Sequence, residues 1–191
     1  MKPVLLILDV QNGIINRLQN TEPYLQRLAS TVEAARRASI PIIYVVTSFR
    51  PGYPEIPGEH PYLASVVTRG DCINGNLSTR VHSAIEPVTH EVIITKHRPS
   101  AFHCTELQMI LHAIRADHII VAGLTTSGAV LSTVNYAINR DYHVTVLEDC
   151  CMDRSEEKHR LLMDMVFMDF ANVVSAEQWV SSISSAQTTE N

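Results

Sequence analysis

Six short apolar runs recur along the chain, separated by segments with helical spacing, and this alternation constrains the fold more than any other feature. The runs are "PVLLILD" (3–9), "IPIIYVV" (40–46), "EVIITK" (91–96), "HIIVAGL" (118–124), "HVTVLED" (143–149) and "ANVVSA" (171–176). They are rich in Val and Ile and barely alternate with polar residues, which predicts strands covered on both faces, as in a parallel sheet. Between them, Leu25, Leu28, Val32 and Ala35 recur at three- and four-residue steps behind Thr21, a predicted helix cap. Helices are also predicted over 105–116, starting at Thr105, and over 155–170, starting at Ser155. Strand following helix throughout predicts an α/β fold of three α/β/α layers, a doubly wound and mostly parallel six-stranded sheet. Its ligands belong at the carboxyl ends of the strands.

A chain of 191 residues, 46% of them hydrophobic, is long enough for one full core and too short for two ordinary domains. The reading is a single domain over 1–183 with a polar C-terminal tail, "SSAQTTEN", over 184–191. A net charge of -5 without a basic stripe argues against nucleic acid as a partner. No apolar run approaches the roughly 18 to 20 residues of a membrane span, and Asp9 interrupts the opening run before a signal peptide is complete. A cytoplasmic location is expected. Cys72, Cys104, Cys150 and Cys151 lack the spacing of a disulfide scaffold, so reduced thiols are expected. The nine histidines form no H-E-x-x-H or H-x-H pattern. Neither a metal nor a cofactor is expected.

Residues 48–90 break the rhythm with prolines at 51, 54, 57, 61 and 87 and with Gly52, Gly58, Gly70 and Gly75. So long a connection reads as a lid or wall over the strand ends, or as a packed excursion. Asp9 ends an apolar strand at the mouth of the crevice, where a carboxylate can serve as acid or base, or can simply form a turn. Lys96 ends "EVIITK"; if the third strand lies near the first, its ammonium can hold Asp9 ionised or stabilise negative charge on a substrate. The turn "GLTTSGAV" (123–130) leaves a strand and enters a helix, so its N–H groups can meet an anionic or carbonyl oxygen. Thr125, Thr126, Ser127 and Gly128 are therefore candidate substrate contacts, the three hydroxyls being equally suited to capping that helix.

These segments carry a resemblance. "LILDVQNG", "TKHRPSAFHCTELQMIL" and "VAGLTTSGAVLSTVNYAINRDYHVTVLED", in that order and followed by "EEKHRLLMDMVF", resemble the signature segments of the isochorismatase-like hydrolase superfamily, which includes nicotinamidases, carbamoylsarcosine amidases and isochorismatases. The resemblance implies strand order 3-2-1-4-5-6, a small-molecule substrate, a homodimer or homotetramer, and a catalytic aspartate and lysine at Asp9 and Lys96. The family's catalytic cysteine sits in a segment G-x-x-T-x-x-C-V. Here Gly123, Thr126 and Val130 match, and the cysteine position falls on Ala129.

A methyl group cannot attack an amide carbonyl. The leading expectation is a hydrolase using Asp9 and Lys96 without a covalent cysteine, as true isochorismatases resemble this pattern in lacking the thiol and using the aspartate to protonate a vinyl ether. One alternative is a catalytically silent member that binds a small molecule or acts through its oligomer surface. Another is a cysteine amidohydrolase using Cys104, at the start of a predicted helix; Ser127 is a further possible nucleophile. Cys150 and Cys151 read as small core residues. The metal that nicotinamidases hold through an aspartate and two histidines has only His60 to meet it in the corresponding connection. Arg50 and Tyr53 in that connection are candidate substrate contacts, and Phe102 a candidate apolar wall.

Overall fold

The computed structural model describes residues 1–189, with side chains as far as Ser185. Its strands are β1 (Pro3–Leu8), β2 (Ile42–Thr47), β3 (Val92–Lys96), β4 (His118–Leu124), β5 (His143–Met152) and β6 (Asn172–Val174). The helices are α1 (Asn12–Ile15), α2 (Thr21–Arg37), α3 (Ala64–Arg69), α4 (Leu107–Ala113), α5 (Leu131–Ile138), α6 (Glu156–Leu161) and α7 (Ala176–Thr189). All strand pairs are parallel, in the order β3-β2-β1-β4-β5-β6.

The layers follow from β1. Successive side chains of a strand point to opposite faces, so a strand that is apolar throughout needs a helical layer on each side. Val4, Leu6 and Leu8 enter one core, with Leu107 and Leu111 of α4 and Val134 and Ala137 of α5. Leu5 and Ile7 enter the other, with Leu25, Leu28 and Val32 of α2 and Trp179 of α7. The edge strand β3 departs from the expected double coverage. Ile93, at 52% exposure, and Thr95 face outward, because no helix covers that side of the sheet edge.

The helix ends also bring corrections. Thr21 is the first residue of α2 and not its cap; Asn20 occupies the cap position in the left-handed region, at φ 54°, without a side-chain capping bond. Ser155 does cap α6, its Oγ accepting from the Lys158 N–H at 3.2 Å. The helix predicted over 155–170 divides into α6, a π turn (Leu162–Val166) and a 3-10 turn (Phe167–Asp169). The last helix, α7, runs through 184–189 of the stretch read as a tail, whose residues 190 and 191 lie outside the described residues.

The connection 48–90 contains α3 and two short 3-10 turns and closes on its own apolar cluster of Phe49, Tyr53, Leu63 and Cys72. Beneath it, β1 and β4 approach too closely for a side chain at Gly123. A Cβ there would lie 2.1 Å from the Leu8 carbonyl oxygen, and the backbone has φ +134°. Only glycine lets β4 pass the end of β1 at this point.

Candidate active site

Asp9 follows the last residue of β1 in the left-handed conformation, φ 55°, with its N–H donating to the Val45 carbonyl at 2.8 Å. Aspartate tolerates this region better than most residues. Lys96 is the last residue of β3, and β2 lies between the two strands. Two strand spacings separate them by about 10 Å, a gap that the four-carbon stem of lysine can span and a shorter side chain cannot.

Lys96 Nζ donates to Asp9 Oδ2 at 2.7 Å and to Thr47 Oγ1 at 2.7 Å, and the Thr47 hydroxyl donates to Asp9 Oδ1 at 2.9 Å. An ammonium only donates, so Thr47 must spend its single proton on the carboxylate, and both Asp9 oxygens are acceptors. Asp9 is 6% exposed and Lys96 2%. Gln11, wholly buried, fastens the end of β2: its amide donates to the carbonyls of Thr47 and Thr79 at 3.0 and 2.9 Å and accepts from the Thr47 N–H at 2.7 Å.

The turn after β4 forms the facing wall. The Leu124–Thr125 peptide is cis, and Thr126–Val130 form a π turn leading into α5. None of the three hydroxyls caps the helix by the usual bond. Thr126 is buried and its Oγ1 lies 2.8 Å from His159 Nδ1, while the Ser127 hydroxyl and N–H both donate to Asp153 Oδ2 at 2.7 Å. The Gly128 and Val130 N–H groups donate to the Thr125 carbonyl at 3.0 and 3.2 Å. The Ala129 methyl is buried and lines the cavity above Asp9 and Lys96.

That cavity holds about 280 Å³ and brings together Asp9, Thr47, Lys96, Thr125, Ser127, Gly128 and Ala129. Its roof is the 48–90 connection: Tyr62, Leu63, Val66 and Cys72 line it. Burial first, and the Asp9 carboxylate next, push the Tyr62 phenol up. Four predicted contacts lie outside this lining: Thr126, buried against His159, and three others. Arg50 is exposed and pairs with Glu55 at 2.7 Å; Tyr53 is buried and donates to the Asp71 carbonyl at 2.8 Å; Phe102 stacks on Tyr136, ring centres 4.9 Å apart.

Of the thiols, Cys104 is exposed and outside the cavity, and Cys150 and Cys151 are buried. Burial pushes Cys150 up to about 12, and Cys151 up as well. Cys72, passed over in the sequence, is the thiol that lines the cavity, and burial pushes it up too. Its position inside the predicted wall was the available signal. Thr47 and Gln11 gave none, since each acquires its role only from the strand order. His60 Nδ1 accepts from the Tyr62 and Leu63 N–H groups at 3.3 and 3.2 Å. Among the described residues, no three His, Cys, Asp or Glu side chains gather as a metal site.

Comparison with known proteins matches residues 3–178 to the isochorismatase domain. The chain belongs to the isochorismatase domain family. An uncharacterized isochorismatase family protein of Bacillus subtilis, YaaI, is 28% identical over 180 residues, covering 91% of this chain and 94% of the relative. The maleamate amidohydrolase of Pseudomonas putida is 23% identical over 181 residues, covering 92% of this chain and 84% of that enzyme. Among solved structures, a cysteine hydrolase from Pseudomonas syringae pv. phaseolicola superposes with a TM-score of 0.90 at 21% identity, over 97% of this chain and 93% of the other. Within the matched isochorismatase domain, position 129 of this chain carries a methyl group.

Proposed function

We propose that this isochorismatase family member hydrolyses a small molecule through Asp9 and Lys96, with water and not a protein thiol as the attacking group. The observation that carries this reading is the buried Asp9–Thr47–Lys96 triangle opening onto a cavity beside the Ala129 methyl. Asp9, accepting from two donors, is positioned as a base. It takes a proton from a water admitted next to Ala129; the resulting hydroxide attacks the substrate carbonyl, and Asp9 returns the proton to the leaving group. Lys96 stabilises the negative charge that develops, in a site where little water screens it.

Both Asp9 oxygens already accept a hydrogen bond, from Lys96 and from Thr47, an arrangement that suits a base better than the acid that vinyl ether protonation requires. Amide relatives such as the maleamate amidohydrolase and the ureidoacrylate amidohydrolases support carbonyl chemistry for this chain. Ala129 supports a second reading, a member that binds a small molecule in this cavity and turns over none. A homodimer or homotetramer is part of the proposal, supported by the exposed Leu161, Met165, Met168 and Phe170, and light scattering checks it.

The test is turnover of a panel of small amides and vinyl ethers. Amide hydrolysis that falls by about 10² to 10⁴ in Asp9→Asn and persists in Cys104→Ala is expected. Turnover confined to vinyl ethers moves Asp9 to the acid role. Silence across the panel, with ligand-induced thermal stabilisation, establishes the second reading.

A further inference from the structure

Addition of hydroxide to a carbonyl moves an electron pair onto the carbonyl oxygen, and that oxygen needs hydrogen-bond donors already in place. The turn after β4 is the expected source, but three of its N–H groups are spent inside the protein: Ser127 on Asp153 Oδ2, Gly128 and Val130 on the Thr125 carbonyl. Two other donors face the same space. Thr125 Oγ1, on the turn itself, and Tyr62 Oη, reaching across from the 48–90 connection, each lie 2.8 Å from the point that a Cβ on Gly128 would occupy. Both residues line the cavity together with Asp9 and Ala129. Among the described residues, neither hydroxyl has a hydrogen-bond partner.

Tyr62 is placed by its neighbours and not by its own hydroxyl. Its N–H and that of Leu63 both donate to His60 Nδ1, and Leu63 is buried in the apolar cluster of the connection. Burial and the Asp9 carboxylate push the phenol up, so it keeps its proton at neutral pH and has one to donate. Gly128 keeps the space beneath both oxygens open. A side chain at 128 would press on the two hydroxyls, and it would meet only them.

We infer that the Tyr62 and Thr125 hydroxyls, converging over Gly128, hold the carbonyl oxygen of the substrate and donate to it as hydroxide adds to the carbonyl carbon. The π electron pair of the carbonyl moves to that oxygen, both O–H groups bond to it, and the pair returns as the leaving group departs with the proton that Asp9 hands back. The inference rests on the proposed hydrolysis in this cavity and names two further catalytic residues for it. The connection over the strand ends then supplies a reacting-centre contact as well as a roof.

Kinetics and binding test it together in the full-length wild type, Tyr62→Phe, Thr125→Val, Gly128→Ala and Asp9→Asn. The Tyr62 hydroxyl has no protein partner, so Tyr62→Phe should keep its Tm within about 2 °C of wild type. For an amide that the wild type hydrolyses, Tyr62→Phe and Thr125→Val should each lower kcat by about 10- to 10³-fold with KM within about 3-fold, because the lost bond strengthens only as charge develops. Gly128→Ala, which displaces both hydroxyls, should fall at least as far as either. Binding is read without turnover by titrating methylboronic, propylboronic and phenylboronic acids and following boron NMR, since a boronic acid that takes up hydroxide becomes a tetrahedral anion like the adduct. At least one should bind the wild type in that form, and about 10-fold or more weakly to each of the three hydroxyl-site variants. Failure of every boronic acid to bind, or equal binding by the variants, overturns the inference. Boronate binding that depends on both hydroxyls, without turnover of any amide, retains it and removes the proposed hydrolysis. Amide turnover lost in Asp9→Asn and unchanged in Tyr62→Phe and Thr125→Val does the reverse.

Discussion

Removing the Lys96 ammonium should harm the fold more than removing the whole ion pair. At 2.7 Å and an effective dielectric constant of about 20, the attraction between Lys96 and Asp9 is about 6 kcal/mol, against a desolvation penalty of several kcal/mol for each ion. The two nearly cancel, so the pair contributes little net stability. Lys96→Met leaves a carboxylate that is 6% exposed with only the Thr47 hydroxyl as donor, and should destabilise by about 3 to 5 kcal/mol. Adding Asp9→Asn removes that stranded charge. Asparagine accepts the left-handed φ of 55° at position 9, and its amide can still meet the Thr47 hydroxyl, so no new backbone strain enters. The double variant should recover to within about 1 kcal/mol of wild type, or exceed it. Equilibrium urea unfolding at one protein concentration, with the m-values compared, provides the assay. A double variant at least as unstable as Lys96→Met would refute the reasoning, because the pair would then be a structural brace and not an expensive arrangement kept for its chemistry.

Thr47→Val keeps the shape of β2 and removes the donor to Asp9 Oδ1 and the acceptor for Lys96; the expected result is a roughly 10-fold or greater loss of kcat with a stability loss of about 1 to 3 kcal/mol, read by steady-state kinetics and thermal unfolding. Gly123→Ala places a methyl 2.1 Å from the Leu8 carbonyl in a backbone that disfavours side chains, and should yield insoluble protein or a Tm lower by more than 10 °C. Iodoacetamide at pH 7.5 should label Cys104 first, as the exposed thiol, and leave Cys150 and Cys151 unlabelled because burial holds both in the unreactive protonated form. Labelling at Cys104, followed by peptide mapping, should leave amide turnover within 2-fold of the untreated protein. Cys72→Ser should also remain active; its inactivation would make the thiol in the cavity roof the nucleophile.

The layered fold was legible because its cause is local: an apolar strand with no polar alternation can be satisfied only between two helical layers, as β1 is. The same rule misleads at β3, whose sequence resembles the others but whose edge position leaves Ile93 outward. Asp9 and Lys96 stood out as charges ending apolar runs. Thr47 did not, because a threonine at a strand end is ordinary until the strand order places it between them. The directions of loop side chains are still less local. Arg50 turns to Glu55 and Tyr53 to the Asp71 carbonyl through contacts that spacing does not encode. Asn20, not Thr21, holds the cap position of α2 because the chain enters that helix through a left-handed residue, a turn choice that the S/T/D/N preference alone does not resolve.

The central claim is that hydrolysis here proceeds without a covalent enzyme intermediate. Its most direct test is the intact mass of the enzyme quenched with acid during steady-state turnover of an amide that it hydrolyses. The account predicts the unmodified chain at 21.3 kDa at every time point. A transient species heavier by the acyl group of the substrate, mapping to Cys72, Cys104 or Ser127, would contradict it.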